Sequence, residues 1–209
     1  MCNEYGNHVT YDQYVEAFSQ IRLPLFVKGN GPDLSPRNGI HIRDTAPVIR
    51  RAGAGVELTE LTWAPRDRNK KPVFNFRSEG RRFGEAARCL VPASHFYEFT
   101  APPSPTLPRE RGKERVGAHK TKWRFTLAGA DWFCIAALVR PDARDGADCF
   151  TMLTTAPGAD VRPYHDRQVV VLPPSDWRAW LDLERSEAEI LRPLPAGSLN
   201  VAAARDGPK

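Results

Sequence analysis

Apolar and polar positions follow the two-residue period of β-strands through most of this chain. Such patterns predict strands over 46–51, 56–63, 95–99, 123–127, 132–139, 149–155 and 168–172. The first two flank a turn of glycine and alanine at 52–55. The last contains an unbroken run of three valines and a leucine, which indicates a strand buried on both faces.

Helical spacing of apolar residues occurs mainly towards the two ends of the chain. Thr10 and Gln13 form a capping-box pattern, so we expect a helix to begin at residue 11 and to end before Pro24. A second helix is predicted from 175 or 176, a third near Ser186 and a short one over 81–88. Because strands dominate and helices flank them, the pattern predicts an α+β fold with a curved mixed sheet that forms a pseudo-barrel.

The segments between these elements differ in composition. Residues 22–45 are rich in Pro, Gly and Asn and are expected to be irregular. Residues 100–120 are Pro-rich and then charged, which is typical of a flexible insertion, because a strand pattern resumes directly afterwards. We therefore predict a single domain over 1–199 that carries this insertion, followed by a disordered tail over 200–209.

The overall composition is that of a globular protein with a mild positive charge. The chain has 209 residues, of which 41% are hydrophobic, and a formal net charge of +5. It shows neither a secretory signal nor an apolar run long enough for a membrane helix, so we expect a protein of the cytoplasm that binds no membrane. We also expect it to be a monomer. Its four cysteines lie far apart without the spacing of metal ligands, so we expect neither a metal nor another cofactor.

Positive charge is concentrated in residues 66–88. This segment has eight lysines and arginines against three carboxylates, an excess equal to the net charge of the whole chain. The concentration favours a surface that binds nucleic acid, although a solvated face remains the alternative. Arg77, Arg81 and Arg82 are the candidate DNA-binding residues within it.

Cys2 becomes an N-terminal cysteine if Met1 is removed. Its α-amine and thiol would then lie on adjacent carbons, and their pKa values of about 8 and about 8.5 leave both partly reactive at neutral pH. Such a pair condenses with an aldehyde, through an imine, to a five-membered thiazolidine, which an internal cysteine cannot form. An incidental cysteine at this position is the competing interpretation.

Polar groups in apolar surroundings supply candidate acid–base chemistry. Glu98 lies among aromatic residues on a predicted strand, where desolvation would raise its pKa towards the range useful for proton transfer. His165 precedes the buried strand 168–172 and is a second candidate for acid–base chemistry. The alternative is a histidine without a catalytic role that lies in a turn and is held by Asp166. Asn75 begins an N-x-R-x-E segment whose polar side chains share one face if the chain is extended; they could orient a substrate and a phosphate or simply be solvated.

Four motifs occur in order along the chain: Met1-Cys2-Asn3, Asn75-x-Arg77-x-Glu79, Arg88-Cys89-Leu90-Val91-Pro92-Ala93-x-x-Phe96-Tyr97-Glu98, and Thr154-Thr155-Ala156 followed by His165-Asp166-Arg167. In this order and spacing they resemble the SOS response-associated peptidase (SRAP) family. The resemblance extends from Met1 to about Leu181 and so covers most of the chain.

The resemblance implies a self-processing enzyme that removes Met1 and then crosslinks itself to damaged DNA. Its partner would be an abasic site in single-stranded DNA, whose ring-opened sugar aldehyde forms a thiazolidine with Cys2. The covalent crosslink would shield the lesion during the DNA damage response. Whether a lyase reaction on the same lesion also occurs is left open.

The resemblance also implies a role for each matching residue. Cys2 would be the nucleophile of both steps, and Asn75 would hold the new N-terminus. Glu98 would be the acid–base catalyst, while His165 would protonate or steady the sugar hydroxyl.

DNA contacts are implied in the same way. Arg77 would bind a flanking phosphate, and Arg167 in the last motif is a further candidate for contact with DNA. Trp63 would stack on a base beside the lesion, an interaction of about 1–3 kcal/mol per base.

The chain departs from the family pattern at several positions. Asn3 and Glu4 stand where family members often have Gly-Arg, which removes a basic contact near the nucleophile. His95 replaces a common glycine three residues before the acid–base glutamate, and Gln168 stands where methionine is usual. These departures put affinity and lesion preference in question.

Two functions from other classes remain open. Cys2, His165 and Asn75 are the residue types of a cysteine peptidase that acts on other proteins. However, a nucleophile in the residue that directly follows the Met1–Cys2 peptide bond suits self-cleavage better than cleavage of other proteins. The basic stretch with Trp63 would also suit a non-catalytic module that binds single-stranded nucleic acid.

Overall fold

The computed structural model describes residues 2–100 and 120–204. The helices are α1 (Tyr11–Gln20), α2 (Pro174–Asp182) and α3 (Glu187–Ile190), and a 3-10 turn covers Glu85–Ala87. The strands are β1 (Glu4–Asn7), β2 (Leu25–Val27), β3 (Arg37–His41), β4 (Thr45–Ala52), β5 (Gly55–Trp63), β6 (Asn75–Arg77), β7 (Arg88–Ala93), β8 (His95–Thr100), β9 (Thr121–Leu127), β10 (Phe133–Pro141), β11 (Asp148–Thr155), β12 (Gln168–Val169), β13 (Val171–Leu172) and β14 (Leu199–Ala203).

Five strands close into a ring in which each is paired with two others. The order around the ring is β4, β5, β11, β10, β7 and back to β4. The β5–β11 pair is parallel and the other four pairs are antiparallel, so the sheet is mixed. The closed ring confirms the predicted α+β fold with a pseudo-barrel.

A second sheet packs against the ring and carries the N-terminus. Its strand order is β14-β9-β8-β1-β3. The chain enters it directly from the ring, because a single residue, Ser94, separates β7 from β8. Within it, β1 lies between β8 and β3, where Tyr5 pairs with both Phe96 and Ile40. The first strand of the chain is therefore held inside the second sheet, with a neighbouring strand on each side.

The ring strands bury both of their faces. On β10, Ile135 belongs to the cluster shared with the second sheet, whereas its neighbour Ala136 belongs to the cluster shared with the helices. The run 169–172 divides in the same way: Val169 and Val171 join the first cluster, and Val170 joins the second. This two-sided burial explains the continuous apolar runs in the sequence.

The two ends of the chain contain the predicted helices. Thr10 caps α1, and its capping box with Gln13 is complete. Ser186 caps α3. The second helix begins earlier than predicted, at Pro174, after a cap at Pro173 that makes no side-chain hydrogen bond.

Several predictions of local structure are wrong. Residues 22–45 contain β2 and β3, and the helix predicted over 81–88 is only the 3-10 turn. The strand predicted over 168–172 divides at Val170, where the backbone changes partner from Leu153 on β11 to Ala136 on β10. The tail predicted to be disordered from residue 200 instead forms most of β14, which pairs with β9 and places Leu199 in the core.

Three predictions fall partly or wholly outside the described residues. These are the removal of Met1, the flexibility of the insertion over 101–119, and the last part of the tail over 205–209. The strands on either side of the insertion are paired, with Thr100 opposite Thr121. Across residues 2–100 and 120–204, no helix has the length and apolar character needed to cross a membrane.

Candidate active site

Cys2 immediately precedes β1 and lies inside the protein. Its side chain is 1% exposed, and its Sγ donates a hydrogen bond to the carbonyl oxygen of Glu4 at 3.3 Å. Burial raises the pKa of the thiol well above its usual value, and the nearby charge of Glu98 raises it further. The thiol is therefore protonated at neutral pH, and it needs a base to become a nucleophile.

Asn75 binds the backbone of Cys2. It begins β6, which pairs in parallel with β11 opposite Met152. Its Nδ2 donates a hydrogen bond to the Cys2 carbonyl oxygen at 2.7 Å, while its Oδ1 is buried and accepts no hydrogen bond from the described residues. Asn75 thus fixes the position of Cys2 and leaves a hydrogen-bond acceptor beside it.

Glu98 places a carboxylate at the nitrogen of Cys2. Side chains alternate along β8, so Glu98 shares the core-facing side with Phe96. Glu98 is only 1% exposed, and its carboxylate accepts a hydrogen bond from the Cys2 backbone N–H. Burial raises the pKa of Glu98 to about 7. A carboxyl group with this pKa can both accept and donate a proton near neutral pH.

His165 completes the group of polar side chains around Cys2. Its Nε2 lies 3.9 Å from Oε2 of Glu98. On the other side of the ring, Nδ1 lies 3.0 Å from the Arg167 backbone nitrogen and 2.8 Å from Oδ1 of Asp166, and these contacts orient the imidazole. Burial lowers the pKa of His165, so the neutral ring is favoured at neutral pH.

A small opening leads from the surface to these groups. Its volume is about 340 Å³, and it is lined by Asn3, Glu98, Phe99, Lys120 and His165. The four predicted catalytic residues therefore come together beside one opening, although they come from the N-terminus, β6, β8 and the segment before β12.

The structure corrects the prediction that Trp63 stacks on a DNA base. Trp63 is the last residue of β5 and is 0% exposed. Its Nε1 donates to the Phe74 carbonyl oxygen at 3.0 Å, and its ring packs on Tyr5 and Phe150. A ring enclosed in this way offers no face to a base. Leu61 and Trp63 are two residues apart on one strand, and this apolar spacing was the available sign of burial.

Three of the predicted DNA-binding arginines are exposed. Arg77 lies at the end of β6, two residues from Asn75. Arg81 places its guanidinium 4.6 Å from the centre of the Phe76 ring. Arg81 and Arg82 also line an open groove of about 830 Å³ between 78–82 and the segment around α3.

The other predicted contact, Arg167, is occupied within the protein. Its guanidinium forms two hydrogen bonds with the Glu79 carboxylate and also donates to Thr154. The side chain is only 13% exposed. A phosphate could reach Arg167 only by displacing Glu79. Arg88, at the end of the basic stretch, is also buried and donates to the Trp180 carbonyl oxygen at 3.0 Å.

The departures from the family pattern have structural explanations. His95 lies on the outer face of β8, opposite to Glu98, and its Nε2 lies 3.1 Å from the Asn38 carbonyl oxygen. Glu4 is paired with Lys122, and Oε1 of Gln168 accepts a hydrogen bond from the Gly158 N–H at 2.6 Å. None of these side chains displaces a candidate catalytic residue.

Two further residues of the structure, Lys120 and Asp142, are not indicated by any motif in the sequence. Lys120 lines the opening because it directly precedes β9, which pairs with the strand of Glu98. Asp142 is buried beside Arg43, although its Pro-Asp-Ala setting resembles an ordinary solvated turn. Within the described ranges, no group of three or more His, Cys, Asp or Glu side chains could hold a metal ion.

Solved structures support the fold. Over 98% of this chain, a protein from Bordetella bronchiseptica is 23% identical with a TM-score of 0.68, and 100% of that protein is covered. A phage-related protein from the same organism is 22% identical with a TM-score of 0.69, over 98% of this chain and 95% of that one. A protein from Bacteroides thetaiotaomicron is 15% identical with the same TM-score of 0.69, over 98% and 93% of the two chains.

Sequence comparison connects the geometry to a family. The Abasic site processing protein YoaM of Bacillus subtilis (strain 168) is 23% identical over 210 residues, which cover 93% of this chain and 85% of that protein. The model of the SOS response associated peptidase (SRAP) family matches residues 1–205. This match extends over nearly the whole chain and includes every candidate catalytic residue. The chain therefore belongs to the SRAP family.

Proposed function

We propose that this protein processes abasic sites: it removes its own Met1 and then forms a covalent thiazolidine crosslink between Cys2 and an abasic site in single-stranded DNA. The observation that carries the proposal is the hydrogen bond from the Cys2 backbone N–H to the buried Glu98 carboxylate. It places an acid–base group at the nitrogen that becomes the reactive amine. The name of the related Bacillus subtilis protein, which describes abasic site processing, supports the choice of substrate.

In the first step, the Met1–Cys2 peptide bond is broken. The Cys2 thiol attacks the Met1 carbonyl carbon and forms a thioester as the peptide nitrogen leaves. Water then hydrolyses the thioester to release methionine and to regenerate the thiol. Glu98 takes the thiol proton and delivers one to the leaving nitrogen, a role that suits its pKa of about 7.

In the second step, the new amine attacks the aldehyde of the ring-opened sugar. The resulting carbinolamine loses one water to give an imine, and the Cys2 sulfur adds to the imine carbon to close the ring. The thiol proton ends on the ring nitrogen, so the net change is the loss of one water. Glu98 and His165 move protons between the sugar oxygen, the nitrogen and the sulfur, and Asn75 holds the Cys2 backbone in place.

The contacts of Asn75 favour this chemistry over a peptidase that acts on other proteins. In a Cys–His–Asn arrangement the amide oxygen orients the imidazole. Here Nδ2 of Asn75 binds the Cys2 carbonyl oxygen, and its Oδ1 accepts no hydrogen bond from the described residues. Asn75 therefore positions the N-terminus and does not orient His165.

A denaturing gel tests the proposal directly. Purified protein is mixed with single-stranded DNA that carries one abasic site, and mass spectrometry first verifies that Met1 is absent. We expect a shifted band that survives denaturation in the wild type and in Cys149→Ala, and no such band in Cys2→Ala.

A second control separates the amine from the thiol. Insertion of one glycine between Met1 and Cys2 keeps the thiol but moves the free amine to another residue, so the thiazolidine cannot form. A band of wild-type intensity from this variant, or no band from the processed wild type, would contradict the proposal. Reversible binding without a band would indicate a non-catalytic binding module.

A further inference from the structure

Two loops of the ring meet at one end of β11. The loop 64–74 connects β5 to β6 and is narrowed by a hydrogen bond from the Val73 N–H to the Pro65 carbonyl oxygen at 2.8 Å. The second loop, 142–147, connects β10 to β11. The two are joined where the Ala143 N–H donates to the Arg66 carbonyl oxygen at 3.1 Å.

A buried carboxylate holds these two loops together. The Asp142 side chain is 1% exposed, and its Oδ2 accepts hydrogen bonds from Nη1 of Arg43 at 2.9 Å and from the Arg66 N–H at 3.3 Å. Its Oδ1 accepts a hydrogen bond from the Arg144 N–H at 3.0 Å. The hydrogen bonds from the backbone N–H groups of Arg144 and Arg66 hold the pKa of Asp142 below its usual value, so the carboxylate remains charged.

Between the loops lies a pocket with an excess of positive charge. Its volume is about 410 Å³, and its lining is Arg66, Asp67, Arg68, Lys70, Ala143 and Arg144. The one lining carboxylate, Asp67, accepts hydrogen bonds from N–H groups of its own loop. Among the described residues no carboxylate is ion-paired with Arg68 or Lys70. Arg66 lies 3.7 Å from the Asp142 carboxylate and Arg144 lies 3.3 Å from that of Asp145. The pocket therefore leaves Arg68 and Lys70 as the cations available to a phosphate group.

The pocket is also close to the Cys2 site along the chain. Asn75, which binds Cys2, follows the loop directly. Lys70 and Asn75 are five positions apart in the sequence, so their Cα atoms lie at most about 18 Å apart. A few nucleotides of single-stranded DNA can span such a distance.

We infer that this pocket is a second phosphate-binding site, which holds the DNA backbone a few nucleotides away from the abasic sugar. The inference rests on the proposed function in taking DNA as the ligand. It adds a binding site whose residues are not those of the Cys2 pocket. The basic segment 66–88 then contributes to two places on the surface. Its residues before Asn75 in the sequence, Arg66, Arg68 and Lys70, line this pocket, whereas Arg81 and Arg82, which follow Asn75, line the groove of about 830 Å³.

Salt-dependent binding tests the inference without the covalent step. The probe is a single-stranded oligonucleotide with a tetrahydrofuran abasic analogue, which has no aldehyde, and affinity is measured by fluorescence anisotropy from 50 to 300 mM salt. Each phosphate contact to single-stranded DNA contributes about 0.7 to the slope of log affinity against log salt. The variant Arg68→Ala/Lys70→Ala removes the two lining cations that have no ion-pair partner among the described residues, and it should thus lower that slope by about 1.4.

A charge-matched variant separates a local contact from a general loss of charge. Lys28→Ala/Arg22→Ala removes two exposed cations beside β2, at the opposite end of β5 from the pocket, and should keep the wild-type slope. An equal slope for the pocket variant and the wild type would overturn the inference. So would a pocket that binds inorganic phosphate while the DNA slope is unchanged, or a wild type that does not bind the oligonucleotide.

The same measurement distinguishes failure of this inference from failure of the proposed function. If the wild type forms no covalent band with true abasic DNA but the pocket variant still lowers the slope, the second site stands and the crosslinking proposal fails. If the wild type forms the covalent band but the pocket variant has the wild-type slope, the crosslinking proposal stands and the second phosphate site fails.

Discussion

Two buried carboxylates in different regions of the molecule have pKa values that are shifted in opposite directions. Glu98 in the Cys2 pocket is 1% exposed, and Asp142 between the two loops is 2% exposed. Burial nevertheless raises the pKa of Glu98 to about 7, whereas hydrogen bonds from the Arg144 backbone and other donors lower the pKa of Asp142. Low solvent exposure alone therefore does not decide whether a carboxylate is charged.

The difference arises from the balance between desolvation and hydrogen bonding at each group. Asp142 faces two backbone N–H groups and the guanidinium of Arg43, which together compensate for the loss of water. Glu98 is dominated by desolvation. A carboxylate that stays charged is suited to fastening loops together, and one that titrates near neutral pH is suited to moving protons.

The largest expected effect is the loss of proton transfer in Glu98→Gln. The amide keeps the size of the side chain but cannot exchange a proton, so we expect the crosslinking rate at saturating DNA to fall by about 10²–10⁴-fold. The rate is measured by quenched time courses on denaturing gels, with the processed N-terminus verified for each protein. Asp142→Asn, where it is folded, should react at the wild-type rate. A wild-type crosslinking rate in Glu98→Gln would contradict a catalytic role for Glu98.

The next effect is the pH dependence of stability that Glu98 imposes. Its pKa rises from 4.5 to about 7 on folding, so the folded protein binds this proton more tightly than the unfolded chain does. Stability should fall as pH rises from about 4.5 to about 7, by roughly 3 kcal/mol from this group. Urea unfolding of wild type and Glu98→Gln across this range measures it. The stability of the variant relative to wild type should increase with pH, and a constant difference would argue against a buried, titrating Glu98.

Asp142 should show the opposite sign. Its pKa is lowered from 3.8 on folding, so its stabilisation is present above pH 4 and is lost as pH falls through the lowered pKa. At pH 7, Asp142→Asn leaves Arg43 beside a neutral amide, and we expect the Tm to fall by several degrees. Thermal unfolding at pH 7 and pH 3 provides the test, because the difference from wild type should shrink at the lower pH. A difference that grows in acid would contradict the assignment.

The smallest expected effect concerns Trp63. Trp63→Phe removes the hydrogen bond to the Phe74 carbonyl and leaves a small void, which should cost about 1–3 kcal/mol of stability. Affinity for the tetrahydrofuran oligonucleotide should not change, because the ring is buried. A loss of affinity without a loss of stability would restore the stacking role.

The sequence was most informative about residues that belong to local motifs. The sequence predicts Asn75, Glu98 and His165 as partners of Cys2; the structure brings Asn75 and Glu98 to Cys2 and places His165 3.9 Å from Glu98. A two-residue period predicts which way a strand residue such as Glu98 faces once its apolar neighbours are known. The error at Trp63 arose because its role was carried over from the family resemblance, although the same period places it on one face with the apolar Leu61.

Contacts between distant parts of the chain were beyond sequence reasoning. Asp142 meets Arg43 across 99 residues, and no local pattern in either segment indicates a buried ion pair. The strand β14 was missed for a similar reason. Leu199 and Val201 have strand spacing, but three of their neighbours are alanines, and pairing with β9 supplies what local preference does not.

The narrow base of the loop 64–74 has a consequence for how such a protein can change over evolution. The hydrogen bond between Val73 and Pro65 separates the tip of the loop from Asn75, which follows it on β6. Residues at the tip can be exchanged, inserted or deleted without shifting the amide that holds Cys2. If the pocket binds phosphate as we infer, selection can alter the affinity for DNA at this loop while Asn75 and Cys2 keep their geometry.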